Sequence, residues 1–177
     1  MNAAGSTLYY VVGAIVLIAI IIVIFLLSQR ARSARLRKRF GPEYERTARV
    51  YGDRAAAERE LAEREERVKK FHLQELPTGA RERYNEEWKV IQARFVDEPA
   101  AALADADTLL ANVMRDRGYP AADSEQRAAD LSTDHARVVQ NYRIAHEICD
   151  SSKNGAADTE AQRQAMLHYR TLFSDLV

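Results

Sequence analysis

Residues 8–40 read LYYVVGAIVLIAIIIVIFLLSQRARSARLRKRF. The first twenty of these carry no charge, and the next thirteen carry Arg30, Arg32, Arg35, Arg37, Lys38 and Arg39. A helix rises about 1.5 Å per residue, so twenty residues cover roughly 30 Å, the hydrocarbon thickness of a bilayer. A lone segment in lipid satisfies its backbone only as a helix, so the Ile and Val content does not argue for a strand. Residues 8–27 are therefore predicted to be a transmembrane helix. A cleaved signal peptide would carry positive charge ahead of a shorter apolar core. Residues 1–7 carry no charged side chain, and the apolar run is long. Gly13 has Leu17 four residues on, so no GxxxG dimerisation face is present.

Charge sets the expected orientation. The six cations of the basic segment 28–39 follow the apolar run and none precedes it, which predicts a cytoplasmic C-terminal side. Residues 1–7 are then a short external terminus, with Tyr9 and Tyr10 at the outer interface. The same six cations are candidates for contact with anionic lipid.

The chain has 177 residues, with 26 Lys/Arg and 26 Asp/Glu. All the acids lie after residue 39, together with 20 of the bases, so residues 40–177 carry a net charge of about −6. That balance argues against nucleic-acid binding. One cysteine, Cys149, excludes an intrachain disulfide.

Beyond residue 40 no stretch alternates polar and apolar residues long enough for a strand, and Gly and Pro punctuate Ala-, Arg-, Glu- and Leu-rich segments. The expected fold is all-α: the membrane helix, a charged helical spacer over 40–76, and a small antiparallel helical bundle over 77–177. Residues 54–72 read RAAAERELAEREERVKKFH, sparse in apolar positions, and predict an extended, solvated helix. The strongest amphipathic stripes predict helices over 80–96, 98–117, 135–152 and 160–175. The first carries Tyr84, Trp88, Ile91 and Phe95, with Trp88 read as core. Thr78, Asp97 and Ser124 are candidate N-caps.

Catalytic signals are scarce. There is no His-Glu-x-x-His, Cys/His cluster, Gly-rich phosphate loop or nucleophile elbow, so no metal or other cofactor is expected. One local pattern is suggestive: Tyr142, Arg143 and His146 on one helix, His168 and Arg170 on the next. Histidine can act as acid or base and arginine as an anion clamp, so these residues could form a ligand-binding or hydrolytic pocket between 135–152 and 160–175. The competing reading is structural, with tyrosines in the core and arginines paired with acids. Asp105 and Asp107 do not share a helix face and read as solvated surface.

Several phrases carry a family resemblance: FGPEY at 40–44, RFVDEP at 94–99, VMRDRGYP at 113–120, EQRAADLS at 125–132, NYR at 141–143 and QAMLHYR at 164–170. Together they resemble a family of uncharacterised bacterial proteins with one N-terminal membrane helix, sometimes labelled secreted. The resemblance spans most of 40–176 and implies no activity and no functional residues. The expectation is a single-pass protein of the bacterial inner membrane with a cytoplasmic helical domain. The domain reads as a non-enzymatic interaction or scaffold module, with the bilayer and a protein partner or a second copy as its contacts. The pocket and an exported domain are the alternatives.

Overall fold

The computed structural model describes the backbone of residues 3–177 and the side chains of residues 12, 13 and 15–177. The expectations for residues 1–7, Tyr9 and Tyr10 fall outside those side chains. Among the described residues the chain is all-α, with eight helices and no strand. They are α1 (Ala3–Phe40), α2 (Pro42–Tyr51), α3 (Arg54–Val68), α4 (Thr78–Arg94), α5 (Pro99–Asp116), α6 (Ser124–Asp134), α7 (Val139–Lys153) and α8 (Thr159–Leu176).

α1 is one unbroken helix through the apolar run and the basic segment. Its large apolar side chains over residues 15–27 are all half exposed or more. By length and composition Ile15–Phe40 can cross a membrane. Between two and four turns further on the environment reverses: Leu36 and Phe40 of the same helix are 0% exposed. With Tyr44 and Leu61 they make a small core of their own. Gly41, at φ 48, turns the chain into α2, where Pro42 occupies the first turn without losing a helical hydrogen bond. Gly52, at φ 65, ends α2, and the Asp53 carboxylate caps α3 by accepting from Ala55 N (3.2 Å) and Ala56 N (3.0 Å).

The extended, solvated helix expected over 54–72 is instead partly buried. α3 packs on α1, α2 and α6, and it buries Glu58, Arg64 and Glu65 as well as Ala57, Leu61 and Val68. Burying charge is tolerable only when it is paired or hydrogen-bonded. Glu58 accepts from the Tyr44 hydroxyl (2.6 Å), and the other two buried ions are paired. Glu65 accepts from Arg35 (3.0 Å) and Arg39 (3.0 Å). Arg64 reaches Glu43 (3.1 Å) and Glu60 (2.8 Å). Arg67 reaches Asp130 on α6 at 3.0 Å. Arg39 also bonds the Thr133 carbonyl (3.2 Å) and Asp134 (3.1 Å). Two of the six basic-segment cations, Arg35 and Arg39, are thus paired with carboxylates of the domain.

The four helices with the strongest stripes, now α4, α5, α7 and α8, form the main core. α7 and α8 pair closely, α5 packs on both, and α4 packs on α5. Trp88 stacks on Phe173 with ring centroids 4.8 Å apart. Three caps differ from expectation. Thr78 lies inside α4 behind Pro77, and α5 begins after Glu98 with no side-chain cap. Asp123 caps α6 in place of Ser124, accepting from Gln126 N at 2.8 Å. α7 begins at Val139, not His135, because His135 terminates α6 and its Nδ1 pairs with Asp175 on α8.

Candidate functional site

The polar groups of the domain converge where α2 and α6 meet α7. Glu43, in the first turn of α2, is 2% exposed. Its Oε1 accepts from Arg143 of α7 (2.9 Å), Arg64 of α3 (3.1 Å) and Arg46 of α2 (3.4 Å). Glu125, exposed at the start of α6, bridges Arg143 and Arg46 from outside, the latter at 3.5 Å. Glu43 Oε2, Thr47 Oγ1 and Arg143 Nε are buried without partners among the described residues. Beside this node lies a cleft of ≈ 230 Å³ lined by Arg46, Ser124, Glu125, Tyr142, Arg143, His146 and Glu147.

A second node backs the cleft. Asp107 of α5 accepts from the Tyr169 hydroxyl (3.2 Å) and Arg127 (3.4 Å), and its Oδ1 meets His146 Nδ1 at 3.2 Å. Burial works against ionising Asp107, but the His146 hydrogen bond and the Arg127 charge prevail and hold its carboxyl below the usual range. The hydrogen bond to Asp107 likewise raises His146 against the opposing effect of burial. Burial, with the Asp107 charge behind it, pushes the Tyr142 and Tyr169 phenols up. The spacing of Asp107 to Asp105 predicts solvated surface, and the structure corrects that: Asp107 is largely enclosed by its partners. Its partners come from α6, α7 and α8, so no local pattern marks it. Asp105 is exposed and pairs with Arg94 at 2.6 Å.

Of the five residues singled out in the sequence, Tyr142, Arg143 and His146 line the cleft. His168 and Arg170 do not. His168 Nδ1 sits 3.2 Å from Asn141 Oδ1, and Arg170 is exposed. The hollow therefore opens between α2, α6 and α7 instead of between α7 and α8. A larger hollow of ≈ 480 Å³ lies between α4 and α5 over Val90, Ile91 and Leu109. It gathers no convergent set of buried polar groups, which is why the smaller cleft is the candidate site. Comparison with protein-family models, curated proteins and solved structures returns no match.

The cleft chemistry favours holding over reacting. His146 has a carboxylate at each ring nitrogen, Asp107 at Nδ1 and Asp150 at Nε2 (3.4 Å). A general base needs one nitrogen free toward its substrate. Ser124 lines the cleft, and no hydrogen bond joins it to His146 among the described residues. Among those residues no group of three or more His, Cys, Asp or Glu side chains could hold a metal ion. Cys149 is buried, and that burial raises its thiol pKa. What remains is a pair of guanidinium groups bridged by an exposed carboxylate, an arrangement able to accept a small anion in place of Glu125.

The Asp107–His146 pair gives a pH signature. A histidine raised by folding contributes stability that is complete below its ordinary value of 6.5 and lost as pH climbs through the folded value. A depressed aspartate contributes above its ordinary 3.8 and loses that as pH falls through the folded value. The stability excess of wild type over His146→Gln should therefore fade as pH rises beyond 6.5. Urea unfolding of both proteins across that range measures it. An excess independent of pH would contradict the pairing.

Proposed function

We propose that this chain is a single-pass membrane protein whose helical domain is a non-enzymatic interaction module, held at the cytoplasmic face of a bacterial inner membrane. The observation that carries the reading is the reversal along α1. Residues 15–27 present apolar side chains outward on every face, while Leu36 and Phe40, about two and three turns past the basic cluster's start, are fully buried in the domain. An apolar surface of that extent requires a non-aqueous neighbour, and its length suits a bilayer. The cations on the C-terminal flank support the cytoplasmic orientation. The paired nitrogens of His146 support a role without catalysis.

The test has two arms. Membranes from cells expressing the full chain should retain it through alkaline carbonate, and a fluorescent protein fused after Val177 should glow. Release by carbonate would sink the anchor, and phosphatase activity from a fusion at the same point would reverse the orientation. Cross-linking in intact membranes should capture a partner or a second copy. A monomer with no cross-linked species would remove the interaction role.

A second reading, a small-anion binding cleft, is favoured by the unpartnered Arg143 Nε beside the Arg46–Glu125–Arg143 bridge. Thermal shift of the purified protein with short dicarboxylates, compared with Glu125→Gln, addresses it. Stabilisation by dicarboxylate that grows in Glu125→Gln is the result expected of an anion competing with Glu125.

A further inference from the structure

A groove of ≈ 310 Å³ runs along one face of α1, lined by Gln29, Arg30, Ser33, Ala34 and Arg37, and closed by Tyr44 and Arg54. Arg54 opens α3, so the turn joining α2 to α3 lies beside Arg30 and α2 runs back along α1 toward the apolar segment. Arg30 and Arg54 have no acidic partner among the described residues, and Arg37 lies over the Tyr44 ring at 5.1 Å with an exposed pairing to Glu45 at 3.6 Å. The other acids nearby are engaged. Asp53 caps α3, and Glu58 is buried accepting from the Tyr44 hydroxyl at 2.6 Å. The groove is therefore a local excess of positive charge in a domain that is acidic as a whole.

Its height is as informative as its charge. Counting about 1.5 Å per residue from Leu27, Arg30 stands roughly 5 Å and Ser33 roughly 9 Å beyond the apolar run. The headgroup layer of one leaflet is about 5–8 Å thick. Helix side chains tilt toward the helix N-terminus. α1 beyond Leu27 and α3 both run away from the apolar segment, so Arg30, Arg37 and Arg54 all lean back toward it. Val50 and Tyr51, large and exposed at the end of α2, stand at the same turn, where an interfacial aromatic is favourable.

We propose that this groove is a binding site for the headgroup of an anionic phospholipid, with Arg30 and Arg54 as its phosphate ligands. Ser33 and Gln29 are the polar groups beside them. The site deepens the membrane-anchored reading and rests on it. It also divides the basic segment: Arg30 serves lipid together with Arg54 from a different helix, while Arg35, Arg37 and Arg39 are engaged by acids of the fold.

The test uses the full chain in phosphatidylcholine nanodiscs doped with phosphatidylglycerol, with retained lipid counted by native mass spectrometry. The double variant Arg30→Gln/Arg54→Gln should lose retained phosphatidylglycerol by on the order of tenfold, since each juxtamembrane cation favours anionic lipid severalfold. Arg163→Gln, an exposed cation at the start of α8, should retain it as wild type does. The proposal is overturned if the double variant retains phosphatidylglycerol undiminished, or if Arg163→Gln loses as much, which would mean total charge and not a site. Displacement of phosphatidylglycerol from wild type by inorganic phosphate would make the groove a free-anion site and overturn the lipid assignment. Carbonate extraction separates the two levels. A chain released by carbonate fails the anchored reading and the lipid site together. A chain that stays in the membrane without headgroup preference fails the lipid site alone.

Discussion

Glu43→Ala is expected to destabilise the domain by about 3–5 kcal/mol, the usual consequence of removing one partner from a buried ion cluster. Three guanidiniums share one oxygen of this carboxylate, and two of them, on Arg64 and Arg143, are themselves about nine-tenths buried. Without Glu43 they face one another with only Glu60 and the exposed Glu125 as counter-charges. The three arginines come from α2, α3 and α7, so the loss should be felt as loosening of the α2–α3 hairpin from the main bundle. In a protein of this size the melting temperature should fall by roughly 10 °C or more. Glu43→Gln keeps an acceptor and should fall between the two. A Glu43→Ala/Arg143→Ala cycle should return a coupling above about 1 kcal/mol. A single variant within about 1 kcal/mol of wild type would mean the cluster contributes little.

Gly118→Ala should cost at least about 3 kcal/mol, combining backbone strain with a clash. Gly118 follows the end of α5 at φ 94, where L side chains rarely sit. A β-carbon there would lie 2.3 Å from the His72 carbonyl oxygen and 2.9 Å from its carbon. Both atoms are backbone, and the segment is pinned: Gln74 N donates to the Arg117 carbonyl at 3.0 Å, and Gln74 Nε2 to the Asp116 carbonyl at 3.1 Å. This strand of chain links α3 to α4, so moving it separates the two cores. Gly155 isolates the backbone part. It has φ 68 with nothing within 4 Å of a β-carbon, so Gly155→Ala should cost only about 1–2 kcal/mol. Chemical denaturation of both variants is the measurement, and equal losses would rule out the clash.

The bundle was legible because its signals are local. Tyr84, Trp88 and Ile91 repeat at helical spacing, and a stripe of that kind has one efficient use, burial against similar stripes. α3 was misread for the opposite reason. Arg64 and Glu65 look like solvent residues within their own helix, and their burial depends on Glu43, Arg35 and Arg39, more than twenty residues away. The same holds for Asp107, whose three partners lie on three other helices. In the candidate site, Tyr142, Arg143 and His146 were accessible as neighbours on one helix. Arg46 and Glu125 were not, because only the return of α2 against α7 places them there. Asp123 won the α6 cap over Ser124 by one residue, a choice that side-chain type alone does not decide, since both are good caps.

The unbroken α1 has a mechanical consequence. Between the apolar segment and the buried Leu36 and Phe40 there is no glycine, proline or turn to act as a joint, and the first flexible point, Gly41, comes after the helix is already gripped. Axial rotation or sliding of the apolar segment should therefore reach α2 and α3, and through Arg39 the end of α6. One residue inserted at position 31 or 32 would twist the apolar segment by about 100° and lift it about 1.5 Å relative to the domain. Such an insertion should leave the domain folded while changing the face that the apolar segment presents, as turning a shaft in its key would.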